Sequence, residues 1–127
     1  MSDNITLALI AHDGKKKEMV QFAKQYFEKL SDFSIIATGT TGKHLIEIGL
    51  TKTQPLLSGP LGGDAQIASE ITKGNVGAVI FFRDPLGKHP HEPDVQMLLR
   101  LCDVHNVALA TNPKTASLIL EGLCKKG

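Results

Sequence analysis

Ala78-Val79-Ile80-Phe81-Phe82 is a run of five apolar residues without a polar break, stopped by Arg83-Asp84-Pro85. A strand with one face in water alternates apolar and polar side chains. A strand covered on both faces reads as a continuous apolar run instead. The same reading extends outward along the chain. Ile5–Ala11 predicts a first strand, Ser34–Ala37 a short second and Val107–Ala110 the last. Pro55–Leu57 is the weakest strand candidate, because Pro55 would have to stand at its start. Segments of helical period separate these runs. Lys15–Leu30 puts Met19, Phe22, Ala23, Tyr26 and Leu30 on one face, and Lys43–Ile48 makes a short helix. Ala65–Thr72 turns Ile67, Ala68 and Ile71 inward and is stopped by Gly74. Pro93–His105 has Pro93 in its first turn and Val95, Leu98, Leu99 and Cys102 inward, and Pro113–Leu123 is the last helix. Continuous apolar strands separated by helices predict an α/β fold. We expect one Rossmann-like domain over residues 1–127, with a mainly parallel five-stranded sheet and helices on both faces.

Composition narrows the function classes. The chain has 127 residues and 42% hydrophobic residues, enough for a sizeable core and too apolar for disorder. A net charge of +1, few aromatics and no Trp argue against nucleic acid and against an anionic membrane surface. No apolar run approaches the ~20 residues of a membrane helix. The start, Met1-Ser2-Asp3-Asn4, lacks the basic region and apolar core of a signal peptide, so a soluble cytoplasmic protein is expected. Cys102 and Cys124 have no metal-ligand spacing and are expected to be reduced, with Cys102 packing in a helix face.

The polar residues gather after the strands. His12-Asp13-Gly14-Lys15-Lys16 follows the first and Thr38-Gly39-Thr40-Thr41-Gly42 the second. Ser58-Gly59-Pro60-Leu61-Gly62-Gly63-Asp64 follows the third. Arg83-Asp84-Pro85 and then His89–Asp94 follow the fourth, and Thr111-Asn112-Pro113 the fifth. Open parallel sheets bind ligands outside the carboxyl ends of their strands. Glycine-rich turns that open helices expose main-chain N–H groups suited to phosphate. A carboxylate at the rim, Asp64, then suggests proton transfer on a phosphorylated substrate.

Each of these residues also has a plainer reading. Asp64 can be an acid favoured in a helix's first turn, and Glu92-Pro93-Asp94 an ordinary helix start. His12 can be a satisfied histidine at a strand end. Asp84 before Pro85 can start a turn, the threonines can cap a helix, and Lys16 can be a solvated lysine among Lys15–Lys17. A metal at His89, His91, Glu92 and Asp94 is disfavoured by the intervening Pro93 and the absence of helical His spacing.

The motifs together decide between these readings. Ala11-His12-Asp13 with Lys16, Ala37–Gly42, Ser58–Asp64, Phe82-Arg83-Asp84-Pro85-Leu86, Pro90-His91-Glu92-Pro93-Asp94-Val95 and Ala110-Thr111-Asn112 closely resemble the methylglyoxal synthase family, in order and at compatible spacing. The resemblance implies a homohexamer that converts dihydroxyacetone phosphate to methylglyoxal and inorganic phosphate, with no metal or organic cofactor. It implies Asp64 as base and His91 as the group polarising the substrate oxygens, with Asp94 orienting His91 or shuttling a proton. Asp84 becomes an active-site carboxylate, His12 a contact to substrate oxygens and Asp13 an organiser of its loop. Phosphate is expected on Lys16, Thr38, Gly39, Thr40, Thr41 and the backbone around Ser58 and Gly59, with inorganic phosphate as a competing ligand. A phosphate-sensing module of the kind found in carbamoyl phosphate synthetases would need the Thr/Gly loop but not Asp64, His91 and Asp94 together. An isomerase of the same substrate would share the enediolate but not these motifs.

Overall fold

The computed structural model describes residues 5–57, 62–86 and 95–124. Strands β1 (Thr6–Ala11), β2 (Ser34–Thr38), β3 (Thr53–Leu56), β4 (Ala78–Phe82) and β5 (Ala108–Ala110) form one sheet in the order β3-β2-β1-β4-β5. Every neighbouring pair is parallel. The run Ala78–Phe82 lies beside β1 with Leu9 opposite Ile80 and Ala11 opposite Phe82, and all five of its residues are buried. The apolar pattern therefore marks the centre of a sheet covered on both faces.

The side-chain alternation of the strands sorts the helices. Leu7, Leu9, Ala37, Ile80 and Phe82 face a core built with α1 (Lys16–Gln25), α3 (Gly39–Glu47) and α6 (Pro113–Cys124). Ala8, Ile10, Ile36, Val79 and Phe81 face a second core built with α4 (Gly63–Thr72) and α5 (Val95–Val104). His12 and Thr38 continue the second register, so they emerge on the same side of the sheet as α4. Cys102 lies buried in that second core, and burial with the neighbouring Asp103 charge pushes its thiol above the usual cysteine range. Among the described residues no helix is long and apolar enough to cross a membrane.

Four expectations change in detail. The helix expected over Lys15–Leu30 is broken at Tyr26 (φ −109°, ψ 29°), and α2 (Phe27–Leu30) resumes after it. The break sets Phe27 against Gly49 and buries Leu30, so tertiary packing overrides the helical period. Pro55 lies inside β3, not at its start, opposite Ala37 of β2. That position is tolerated because β3 is an edge strand, with a free side on which a missing N–H costs no ladder bond. Helix α3 begins at Gly39 rather than Lys43, so the Thr/Gly loop is the helix's own first turn. Gly39 takes φ +47°, a left-handed conformation that favours glycine there. Helix α4 begins at Gly63 rather than Ala65, which places Asp64 within its first turn.

Gly63 is fixed by a close approach. A Cβ there would run into the main-chain oxygen of Leu57 and stand 3.0 Å from Thr38 Cγ2. The start of α4 thus lies directly on the exits of β2 and β3. Gly63→Ala is expected to lose about 1–3 kcal/mol by overpacking against main chain that cannot rotate away. A lowered urea midpoint at unchanged slope checks it, and an unchanged midpoint would show that the approach is not tight.

Candidate active site

The sheet order reverses between β1 and β4: the chain winds outward through β2 and β3, then crosses back to β4 on the other side of β1. The crevice at such a switch point, outside the carboxyl ends of the strands, is where doubly wound folds bind ligands. His12 leaves β1 and Asp84 follows β4, so the two residues flank it. The pairing continues past the strand ends, with the His12 N–H donating to Phe82 O at 3.2 Å. The Asp84 N–H donates to His12 Nδ1 at 2.9 Å. The His12 ring is 5% exposed and sits edge-on to Phe81, with centroids 5.1 Å apart and planes at 82°.

Asp84 holds its own turn. Its Oδ1 accepts from the Leu86 N–H at 3.1 Å across Pro85. Its other oxygen, Oδ2, lies too near Gly14 to leave room for a Cβ there, so the turn after β1 rests directly on this carboxylate. The turn-starting reading of Asp84 is therefore realised in the structure, beside any further role.

The second cluster joins the exits of β1 and β2. Lys16 Nζ lies 2.9 Å from Asp13 Oδ1 and donates to Thr40 Oγ1 at 2.8 Å. This places Asp13, Lys16 and Thr40 together, with the lysine set over the first turn of α3. Thr38 occupies the position before that turn, yet its side chain makes no capping bond. The opening N–H groups of α3 are thus not taken by the Thr38 hydroxyl, contrary to the capping alternative. Thr41 is 1% exposed, and its hydroxyl has no hydrogen-bond partner among the described residues.

Asp64 is half-buried in the first turn of α4, where its Oδ1 accepts from the Ala65 N–H at 3.0 Å. Because Gly63 touches Thr38, the helix that carries Asp64 abuts the turn that carries the threonines. The structure therefore brings His12, Asp13, Lys16, Thr38, Gly39, Thr40, Thr41, Asp64 and Asp84 to one edge of the sheet. Ser58, Gly59, His91 and Asp94 lie outside the described residues, as do His89 and Glu92. Among the described residues no group of three or more His, Cys, Asp or Glu is placed to hold a metal. The arrangement offers main-chain donors at two helix starts, one ammonium and two half-buried carboxylates, which suits an anionic substrate that exchanges protons.

Two features escape the sequence reading. Gln66 Oε1 accepts from the Leu57 N–H at 2.7 Å and ties the exit of β3 to α4, an arrangement with no local signal. An open groove of about 380 Å³ runs between the ends of β4 and β5, lined by Lys15, Arg83, Pro85 and Asn112 among others. Thr111-Asn112-Pro113 forms part of its wall, where Asn112 Oδ1 caps α6 by accepting from the Thr115 N–H at 3.0 Å.

Comparison with known proteins gives one answer at three levels. Residues 18–111 match the MGS-like domain family. The methylglyoxal synthase of Borrelia garinii subsp. bavariensis is 54% identical over 116 residues, covering 91% of this chain and 92% of that protein. The methylglyoxal synthase of Clostridium botulinum (strain Eklund 17B / Type B) is 53% identical over 115 residues, covering 91% of this chain and 97% of the other. The crystal structure of methylglyoxal synthase from Elizabethkingia anophelis NUHP1 superposes with a TM-score of 0.87 at 42% identity, covering 93% of this chain and 78% of that one.

The side chains of Lys16 and Asp13 are 30% and 78% exposed, so their ion pair is well solvated. Such pairs contribute about 0–1 kcal/mol. Lys16→Ala is expected to leave thermal stability within ~1 kcal/mol of the parent in a melting experiment. A larger loss would make Lys16 a structural residue.

Proposed function

The chain belongs to the methylglyoxal synthase family, and from that premise we propose that it converts dihydroxyacetone phosphate to methylglyoxal and inorganic phosphate. The observation that carries the reading is the contact between two helix starts. The uncapped first turn of α3, with Lys16 above it, abuts the first turn of α4, which bears Asp64. A phosphate cradle and a carboxylate base then act on the two ends of one three-carbon substrate.

Asp64 takes a proton from the hydroxymethyl carbon, leaving an enediolate. His12 and His91 donate hydrogen bonds to the oxygens on which charge develops. The C–O bond to phosphate then breaks, and its electrons leave with the phosphate while the enediolate becomes an enol aldehyde. That enol takes a proton on its terminal carbon and becomes methylglyoxal, so no water and no oxidant is consumed. Asp84 and Asp94 are the carboxyl groups available to return this proton. Elimination requires the bridging C–O bond to stand roughly perpendicular to the enediolate plane, where it overlaps the π system. The α3 N–H groups, Lys16, Thr38, Gly39, Thr40 and Thr41, with Ser58 and Gly59, hold the phosphate in that orientation. Asp13 positions Lys16.

The reading carries two further parts. Dihydroxyacetone phosphate is a dianion that does not cross a bilayer unaided, which favours work in the cytoplasm. The family resemblance favours a homohexamer, and exposed Leu86 (88%), Val104 and Leu118 are apolar surface that subunits would cover.

Incubation with dihydroxyacetone phosphate is expected to release methylglyoxal and phosphate in equal amounts with little glyceraldehyde 3-phosphate. Asp64→Asn keeps the shape and is expected to lower kcat at least ~100-fold with the fold intact. Near-normal turnover in that variant would remove Asp64 from the base role.

Inorganic phosphate is expected to compete with substrate, and Lys16→Ala to weaken both together, because one site serves both. An unchanged phosphate inhibition constant in that variant would place the anion elsewhere.

A further inference from the structure

The contact between His12 and Asp84 decides which nitrogen of the imidazole carries the proton. A ring nitrogen accepts a hydrogen bond only when it bears no hydrogen. His12 Nδ1 accepts the Asp84 N–H at 2.9 Å, so Nδ1 is bare. The hydrogen of the neutral ring is then on Nε2. A main-chain N–H, unlike a hydroxyl or a water, cannot turn round to become an acceptor. The His12 main chain is tied to Phe82 O, and the ring, 5% exposed, is packed edge-on to the fully buried Phe81. Neither the backbone nor the ring plane is free to swing Nδ1 away from the Asp84 N–H.

The direction of that N–H is itself set by the Asp84 side chain. Oδ1 accepts the Leu86 N–H at 3.1 Å and closes the turn over Pro85, while Oδ2 lies against Gly14. We propose that Asp84 is a positioning residue for His12. Its carboxylate shapes the turn that aims its own main-chain N–H at Nδ1, and so locks His12 as an Nε2–H donor throughout the reaction. Resting on the functional reading above, the consequence is a division of labour. His12 gives a hydrogen bond to a substrate oxygen and keeps its proton, while removal of the carbon-bound proton falls to a carboxylate. No bond to His12 forms or breaks, so the role needs no co-reactant.

The test is 15N NMR of the imidazole rings in the full-length protein, with His12 assigned by comparison with His12→Gln. The parent is expected to show one bare Nδ1 far downfield and one protonated Nε2, without averaging. Asp84→Asn keeps an oxygen to accept the Leu86 N–H and is expected to retain that signature. Asp84→Ala is expected to give averaged tautomers, a change read at the His12 ring and therefore separate from any loss of kcat through the proton return assigned to the Asp84 carboxyl above. Adding 2-phosphoglycolate, whose carboxylate copies a planar anionic enediolate, is expected to move the Nε2–H proton downfield while Nδ1 stays bare. A protonated or averaged Nδ1 in the parent overturns the lock, and a ring that turns cationic on binding overturns the donor role. A signature lost in Asp84→Asn, or unchanged in Asp84→Ala, overturns the part assigned to the Asp84 side chain. If the locked tautomer is present in a protein that releases no methylglyoxal, the functional reading falls and the lock stands.

Discussion

The β1–β4 pair must be covered on both faces, and most of the architecture follows from that requirement. Leu7, Leu9, Ile10, Phe81 and Phe82 are almost wholly buried, and each such side chain contributes about 1.5–3 kcal/mol relative to exposure. No single layer of helices can cover both faces. Helices α1, α3 and α6 take one side, α4 and α5 take the other, and the chain must reverse its winding to supply both. That reversal opens the crevice beside β1. A covered parallel sheet also sends every strand out at the same edge, so each exit loop delivers its polar residues to one place.

Close approaches of main chain, rather than ion pairs, set the distances at that edge. Gly63 lets α4 rest on Leu57 and Thr38, and Gly14 lets the turn after β1 rest on the Asp84 carboxylate. Gly42 does the same for α3 against Pro55 and Ala37, where a Cβ would stand 3.0 Å from the Pro55 backbone. These contacts couple the exits of four strands without a rigid salt bridge. The Lys16–Asp13 pair, by contrast, is solvated enough to exchange one partner for an incoming anion. Tight main-chain packing thus surrounds a cation held only by solvated side-chain contacts.

Asp84 shows how a plain structural habit can place a neighbouring group. Its turn with Leu86 is the ordinary habit of an aspartate before proline, and that habit aims its N–H at His12. Similarly, Asp64 is an acid where the helix dipole favours one, and the same N-terminal turn brings it beside the threonine loop. Local chemistry supplied the positions, and packing brought them to one edge of the sheet.

Four of the five strands were legible in the sequence because each is an apolar run bounded by polar or turn residues, and Ala78–Phe82 was legible to the residue, whereas β3, Thr53-Gln54-Pro55-Leu56, is no such run and owes its place to pairing with β2. The clustering of functional groups after the strands was equally legible, since it depends only on chain order. The helix starts were not. Whether Thr38–Gly42 is a loop or a first turn depends on where α3 packs against β3, and the break at Tyr26 depends on Phe27 reaching Gly49. Nor could spacing reveal that β1 and β4 are neighbours 72 residues apart at the His12–Asp84 contact, because register across a parallel crossover is set by how two cores fill. The sequence by itself determined which groups were available and on which edge they would stand. Only the tertiary structure decided which of them touch, because those contacts arise where helices and strands distant in sequence are pressed together by the burial of their apolar faces.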